Sequence, residues 1–107
     1  TEQYRAFCYI DDAVKGLIVV AKNSGTKRII NIGNDQEEIK ISTLVDMILK
    51  LGNHAPKKDI HESPKGSVSR RCPDLTTLKS IGYIQKVTLS KGLKLTYQWY
   101  KKNDLLG

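Results

Sequence analysis

Apolar and polar positions along the chain change period several times, and each change marks an element. From Arg5 to Ile10 the run RAFCYI alternates, with Phe7 and Tyr9 on one side and Ala6, Cys8 and Ile10 on the other. Alternation of aromatic and branched side chains predicts a strand over 5–10, because successive strand residues point to opposite faces. The period then lengthens. Val14, Leu17, Ile18 and Ala21 recur at helical spacing and predict a helix with one apolar stripe. Asp11 or Asp12 is its expected N-cap, since a short carboxylate accepts from the free N–H groups of the first turn. Asn23-Ser24-Gly25 supplies the turn chemistry that stops it.

KRIINIG, residues 27–33, is expected to be a second, largely buried strand closed by Gly33. A polar loop follows over 34–40, in which EIKI forms a short extended piece. Ser42 or Thr43 is the expected cap of a second helix, with Leu44, Val45, Ile48 and Leu49 as its stripe and Gly52 as its stop. KKDIHES, 57–63, suggests a short third strand, and 64–73 is irregular. Asp74 is expected to cap a brief helix over 75–81 that ends at Gly82. Thr88 or Ser90 then starts a final helix in which Leu89, Leu93, Thr96 and Tyr100 share a face. The order β-α-β-α-(β)-α-α predicts a small mixed α/β fold, one domain over 1–103 with a frayed tail at 104–107. A domain of this length is expected to bury roughly two-thirds of its unfolded surface.

Composition narrows the class only slightly. With 39% hydrophobic and 27% charged residues the chain suits a soluble globular fold. The longest apolar run, GLIVVA, is far short of the roughly 20 residues of a membrane span, and no basic leader precedes an apolar core. Cys8 and Cys72 are too few for a disulfide framework and fit no metal spacing, so a cytoplasmic setting is expected. The charge matters more. Eighteen Lys and Arg against eleven Asp and Glu give +7, which favours an anionic partner: nucleic acid, a phosphorylated small molecule or an acidic neighbouring domain. A small basic nucleic-acid-binding or structural domain is therefore one alternative. Against nucleic acid, the basic residues line no single helix face and are not interleaved with aromatics.

Self-contained catalytic or cofactor sites are not evident. Phosphate-cradling loops need closely spaced glycines after a strand, whereas the nearest pairs here are 16 with 25, 25 with 33 and 82 with 92. His54 and His61 stand alone. The carboxylates at 11–12 and 37–38 are sequence neighbours, which suits caps and solvated charges better than acid/base pairs. Tyr97 and Lys101 match Tyr-x-x-x-Lys, but no glycine-rich loop and no Ser- or Thr-bearing strand accompanies them, so Tyr97 is assigned to packing or surface. The remaining candidates are arginines. Arg5 precedes a strand, and Arg70-Arg71 occupy a loop that ends at a helix cap; each is either a solvated charge or a planar fork that grips phosphate.

Three stretches in order, RAFCYIDDAVKGL, IINIGNDQEEIKISTLVDMI and SRRCPDLTTLKSIGYIQKVTLSKGLKLTYQWY, together resemble the closing portion of NAD-dependent nucleotide-sugar epimerases, dehydratases and decarboxylases, the extended short-chain dehydrogenase/reductases. The resemblance runs from about Arg5 to Lys102. It implies that Arg5 contacts the diphosphate of a nucleoside-diphosphate-sugar such as a UDP-sugar, and that Arg70 or Arg71, before Pro73-Asp74, is the second clamp. The family's aspartate after the first arginine is Ala6 here. Asn31-Ile32-Gly33 falls on an Asn-x-Gly landmark whose role is largely architectural. Phe7 and Tyr9 are expected as core or cleft wall. At the last helix, Lys91 stands where the family has a capping-box carboxylate, so that helix start is expected to be weak. The resemblance also implies that the Rossmann half, with the NAD site and the catalytic Tyr and Lys, is missing from these residues. The fragment alone would then catalyse nothing, and the parent enzyme would be a homodimer. Epimerase, dehydratase and decarboxylase remain undistinguished, as do the sugar and base.

Overall fold

A computed structural model describes residues 3–23, 29–53, 56–57, 61–62 and 64–104. Among them the order is β1 (Tyr4–Ala6), α1 (Ile10–Lys22), β2 (Glu38–Lys40), α2 (Ile41–Leu51), β3 (Arg70–Arg71), α3 (Thr76–Ser80) and α4 (Leu89–Lys102). The strands form one mixed sheet ordered β2-β1-β3. β1 runs antiparallel to β2, pairing Tyr4 with Lys40 and Ala6 with Glu38, and parallel to β3, pairing Tyr4 with Arg70 and Arg5 with Arg71.

The α/β order is the expected one, but two strands are made of other residues. Residues 29–33 pair with no described strand, and 27–28 lie outside the described residues. Instead Ile30 and Ile32 pack on the core as a strap. Asn31 Nδ2 reaches the Asp74 carbonyl at 3.4 Å. The Pro73 ring covers Gly33 so closely that a Cβ there would lie 3.1 Å from it. The second strand is the short extended piece at 38–40. The third is Arg70–Arg71, inside the stretch expected to be irregular. Of 57–63, only 57, 61 and 62 are described, and none is in a strand.

The buried centre is Leu75, Leu78 and Tyr83, against which Val19, Val20, Ile30, Ile32 and Ile81 pack. α1 turns a different side inward from the one expected: Asp12 and Gly16 are buried, whereas Val14, Leu17 and Ile18 are exposed. The helix also begins earlier, at Ile10, with Tyr9 at the N-cap and no side-chain cap. Asp12 is fully buried and accepts from the backbone N–H groups of Lys86 (3.2 Å) and Val87 (2.9 Å). It anchors a segment 74 residues away rather than its own helix. α2 likewise begins at Ile41, directly after β2, with Lys40 in the cap position instead of Ser42 or Thr43.

Thr88 caps its helix as expected, and Asp74 holds the start of α3 from one residue before the N-cap, Leu75. Asp74 Oδ1 accepts from the Thr76 N–H at 3.0 Å and from its hydroxyl at 2.6 Å. Thr88 caps α4 by accepting from the Lys91 N–H. α4 does not lack a carboxylate, however. Both Glu37 oxygens accept from the Leu89 N–H at 3.0 and 3.2 Å, replacing from the 34–37 loop the group that Lys91 cannot supply. Asn34, buried, holds that loop by donating to the Phe7 carbonyl at 2.9 Å and accepting from the Gln36 N–H.

Candidate functional site

Strand register brings the three candidate arginines to one end of the sheet. Because side chains alternate along a strand and paired residues share a face, Arg5 and Arg71 fall on one face. Tyr4, Ala6, Glu38, Lys40 and Arg70 fall on the other. Adjacent strands stand about 4.8 Å apart, so a residue at 5 and one at 71 are neighbours despite their separation in sequence.

The three guanidinium groups have different surroundings. Arg70 donates through Nε and Nη2 to both oxygens of Glu38, at 2.8 and 2.7 Å, a two-pronged pair. It also stands over the Tyr4 ring, 5.6 Å from the centroid, and Lys40 Nζ lies 5.9 Å from the same centroid. Hydrogen bonding and charge from Arg70 hold the Glu38 carboxyl below its ordinary value, and Glu38 in turn raises Arg70. Glu38 sits opposite Ala6, the position where the resembling family has its carboxylate. Arg5 is half-buried and donates to the Tyr4 carbonyl (2.7 Å), Gln3 Oε1 (3.1 Å) and the Val68 carbonyl (3.0 Å). Three of its five N–H donors are thus engaged with protein. Arg71 is exposed, with no hydrogen bond or ion pair to any described residue.

Phe7 and Tyr9 continue from β1 and line an apolar cavity of about 300 Å³ with Leu44 and Ile48 of α2 and Leu93 and Thr96 of α4. Tyr9 is wedged against Gly92, where a Cβ would lie 3.3 Å from its own. Phe7 is more open, on the cavity's rim. Tyr97 lies against Gly52 at the end of α2, a packing position. Glu38, expected from the sequence to be a cap or a solvated charge, instead occupies Arg70; its one signal is an acidic residue inside the EIK piece, and its partner depends on the register. Among the described residues no three His, Cys, Asp or Glu side chains gather as a metal site, and no helix is long and apolar enough to cross a membrane.

The Arg71–Asp74 stretch is held by Asn31-Ile32-Gly33. Pro73 rests on Gly33 and the Asp74 carbonyl accepts from Asn31, so the arginine loop is fixed to the 29–33 strap on one side and to α3 on the other.

No family model matches the chain. It is 29% identical over 102 residues to UDP-glucuronate 4-epimerase from Thermodesulfobacterium geofontis, an alignment covering 94% of this chain and 31% of that protein. It is 30% identical over 108 residues to UDP-N-acetyl-alpha-D-glucosaminuronate decarboxylase from Bacillus cytotoxicus, covering 94% and 33%. Among solved structures it superposes on dTDP-glucose 4,6-dehydratase from Bacillus anthracis, in complex with NAD, with a TM-score of 0.80 and 27% identity, covering 96% of this chain and 33% of that one. The chain therefore spans about a third of the length of the proteins it matches. Over nearly its whole length, the chain is related to the NAD-dependent nucleotide-sugar epimerases and dehydratases.

Proposed function

We propose that the chain is the nucleoside-diphosphate-sugar-binding, C-terminal lobe of an NAD-dependent nucleotide-sugar epimerase or dehydratase, with Arg71 and Arg5 as its diphosphate clamp. The observation that carries this reading is the β1–β3 register, which sets Arg5 beside Arg71 on one sheet face. Arg70, the competing candidate, is held by Glu38 on the other face. Among the described residues none engages the Arg71 guanidinium, and two of the five Arg5 donors stay open. Two planar forks side by side suit the spread charge of a diphosphate. Phe7 would stand at the edge of the same cleft.

Relatives that epimerise, decarboxylate and dehydrate all match this piece. That favours a role in what those reactions share, a nucleotide-sugar, over a role in the chemical step. The residues present do not fit NAD. β1 enters α1 through Phe7-Cys8-Tyr9 and β2 enters α2 with no loop at all, so neither strand-to-helix turn offers the glycine-lined backbone that a pyrophosphate needs. On this reading the NAD site and the catalytic residues lie in a Rossmann half elsewhere in the complete enzyme, a cytoplasmic homodimer, and the fragment alone turns over nothing.

NMR titration of the chain with a UDP-sugar tests the assignment. Shifts are expected at residues 5–7 and 68–74; shifts confined to α2 and the far end of α4 would sink it. The basic surplus alone would give steeply salt-dependent binding to mixed-sequence RNA or DNA instead.

A further inference from the structure

α1 is apolar on two sides. Val19 and Val20 pack on the Leu75–Leu78–Tyr83 centre, and Asp12 and Gly16 are buried beside them. The opposite side carries Ile10, Val14, Leu17 and Ile18 at i, i+4, i+7 and i+8, all exposed, Ile10 at 64% and Leu17 at 58%. At about 100° per residue, the exposed charges of α1 (Asp11, Lys15 and Lys22) fall in a strip only about 40° wide between the two, and the fourth, Asp12, is buried on the inner side. A helix with one side in water carries its charge opposite the core; one that is apolar nearly all round is a buried helix.

The exposed stripe continues onto neighbouring elements. Ile10 lines a surface hollow with Trp99 of α4, itself 55% exposed. Ile18 lines another with Ile84, 66% exposed, where Lys15 and Lys86 also stand. One apolar face thus runs from α4 across α1 to the 82–87 segment, of the kind that marks an interaction surface.

We propose that this face is where the remainder of the enzyme polypeptide, the half carrying the NAD site, docks onto the lobe; the inference rests on the functional reading above. The Ile10, Val14, Leu17 and Ile18 stripe offers a phosphate-bearing ligand no hydrogen-bond donor, whereas a protein core packs on it; Lys15 and Lys86 stand only at the hollow beside Ile84. The relatives are about three times as long as this chain, so the matched segment there has a large covalently attached neighbour. The surface to be covered is also large. The chain exposes 8346 Å², where a compact monomer of 12.0 kDa exposes about 6,000 Å². An excess of that order is what a permanent interface covers.

Side-chain protection in the complete gene product tests this. Leu17→Cys is labelled with a maleimide beside Ser90→Cys, an exposed control at the start of α4, and peptide mapping separates both from Cys8 and Cys72. Leu17→Cys is expected to react at least tenfold more slowly than Ser90→Cys in the complete protein, and at a similar rate in the 107-residue chain. Hydroxyl-radical oxidation of Trp99 in the unsubstituted protein gives the same comparison without a variant. Equal rates in the complete protein overturn the proposal, as does a gene product that extends no further than these residues. Protection of Leu17→Cys in the short chain that is lost on dilution also overturns it, by making a second copy the occupant. Calorimetric titration of the complete protein with a UDP-sugar reports separately on the functional reading. Protection without binding keeps the docking face and rejects the ligand, and binding without protection does the reverse.

Discussion

At β3 two neighbouring arginines differ in what a ligand would have to break. Arg70 would have to leave both oxygens of Glu38, whereas Arg71 has no described partner to leave. On the proposed function, Arg71→Ala in the complete enzyme is expected to raise KM for the nucleotide-sugar by about 10- to 100-fold, the worth of a lost charge-assisted contact, with NAD affinity unchanged. Arg70→Ala should move KM less than threefold, and steady-state kinetics on the pair would expose a reversed assignment directly. Arg5→Ala should raise KM and lower the melting temperature together, because Arg5 also ties residues 3 and 4 to Val68. The motif made Arg5 and the Arg70-Arg71 pair legible. The choice within the pair was not, since it depends on a carboxylate 32 positions away in a strand whose register no local pattern fixes. Tyr83 gives a second test at this scale. Burial first, then the nearby Cys8 and Asp12, push its hydroxyl from 10.0 up to about 12, and apart from the Cys8 thiol that hydroxyl has no hydrogen-bond partner among the described residues. The folded state thus favours the neutral phenol. That contribution is complete below pH 10 and is lost as pH rises from 10 to about 12. Tyr83→Phe should leave stability at pH 7 unchanged or slightly higher, since the buried hydroxyl it removes has no described partner better than a thiol. It should also flatten the alkaline limb in denaturant melts taken between pH 9 and 12. An identical limb in both proteins would show that Tyr83 does not titrate there.

Elements in this fold are joined by carboxylates that reach across the chain. Asp12 on α1 and Glu37 in the 34–37 loop receive the N–H groups of Lys86, Val87 and Leu89, and so fix the approach to α4 from two directions. Asp12→Ala would strand two N–H groups in a buried place and is expected to cost about 3 kcal/mol. Glu37→Ala, which leaves the Thr88 cap in place, should cost about 1 kcal/mol. At this chain length the second change corresponds to a drop of about 4–8 °C in Tm by calorimetry; equal losses for the two would mean that Asp12 is no more than a helix-start charge. Four helices were legible because their spacing, and stops such as Gly52 and Gly82, are local signals. Strands were less so. IINIG carries the composition of a buried strand, yet Ile30 and Ile32 serve as a strap on the core, Ile29 is exposed, and shorter pieces take the sheet positions. Asp12 looked like a cap because proximity to a helix start is visible in sequence and a partner 74 residues on is not.

The molecule as a whole is thin and spread out. Its extents are 51 × 37 × 19 Å and its radius of gyration is 16.4 Å, against about 13 Å for a compact chain of this length. Length and ordinary apolar content suggested a domain that buries roughly two-thirds of its unfolded surface, and content says nothing of which apolar side finds a partner. On α1 both sides were apolar, so periodicity located the helix without saying which side is inside. The consequence is measurable in unfolding. With 8346 Å² still exposed when folded, the chain withdraws only about half of its unfolded surface from water, rather than the two-thirds a compact domain reaches. Denaturant sensitivity scales with the surface released on unfolding, so the m-value of the isolated chain in urea should be about four-fifths of that of a compact protein of equal length. In the complete polypeptide the shortfall should vanish, because the face of α1, Ile84 and Trp99 would then be released along with the core. Urea melts followed by Trp99 fluorescence, run on both proteins, decide the matter. An m-value already full in the isolated chain would mean that the lobe closes on itself in solution and that its apolar face has no need of a partner.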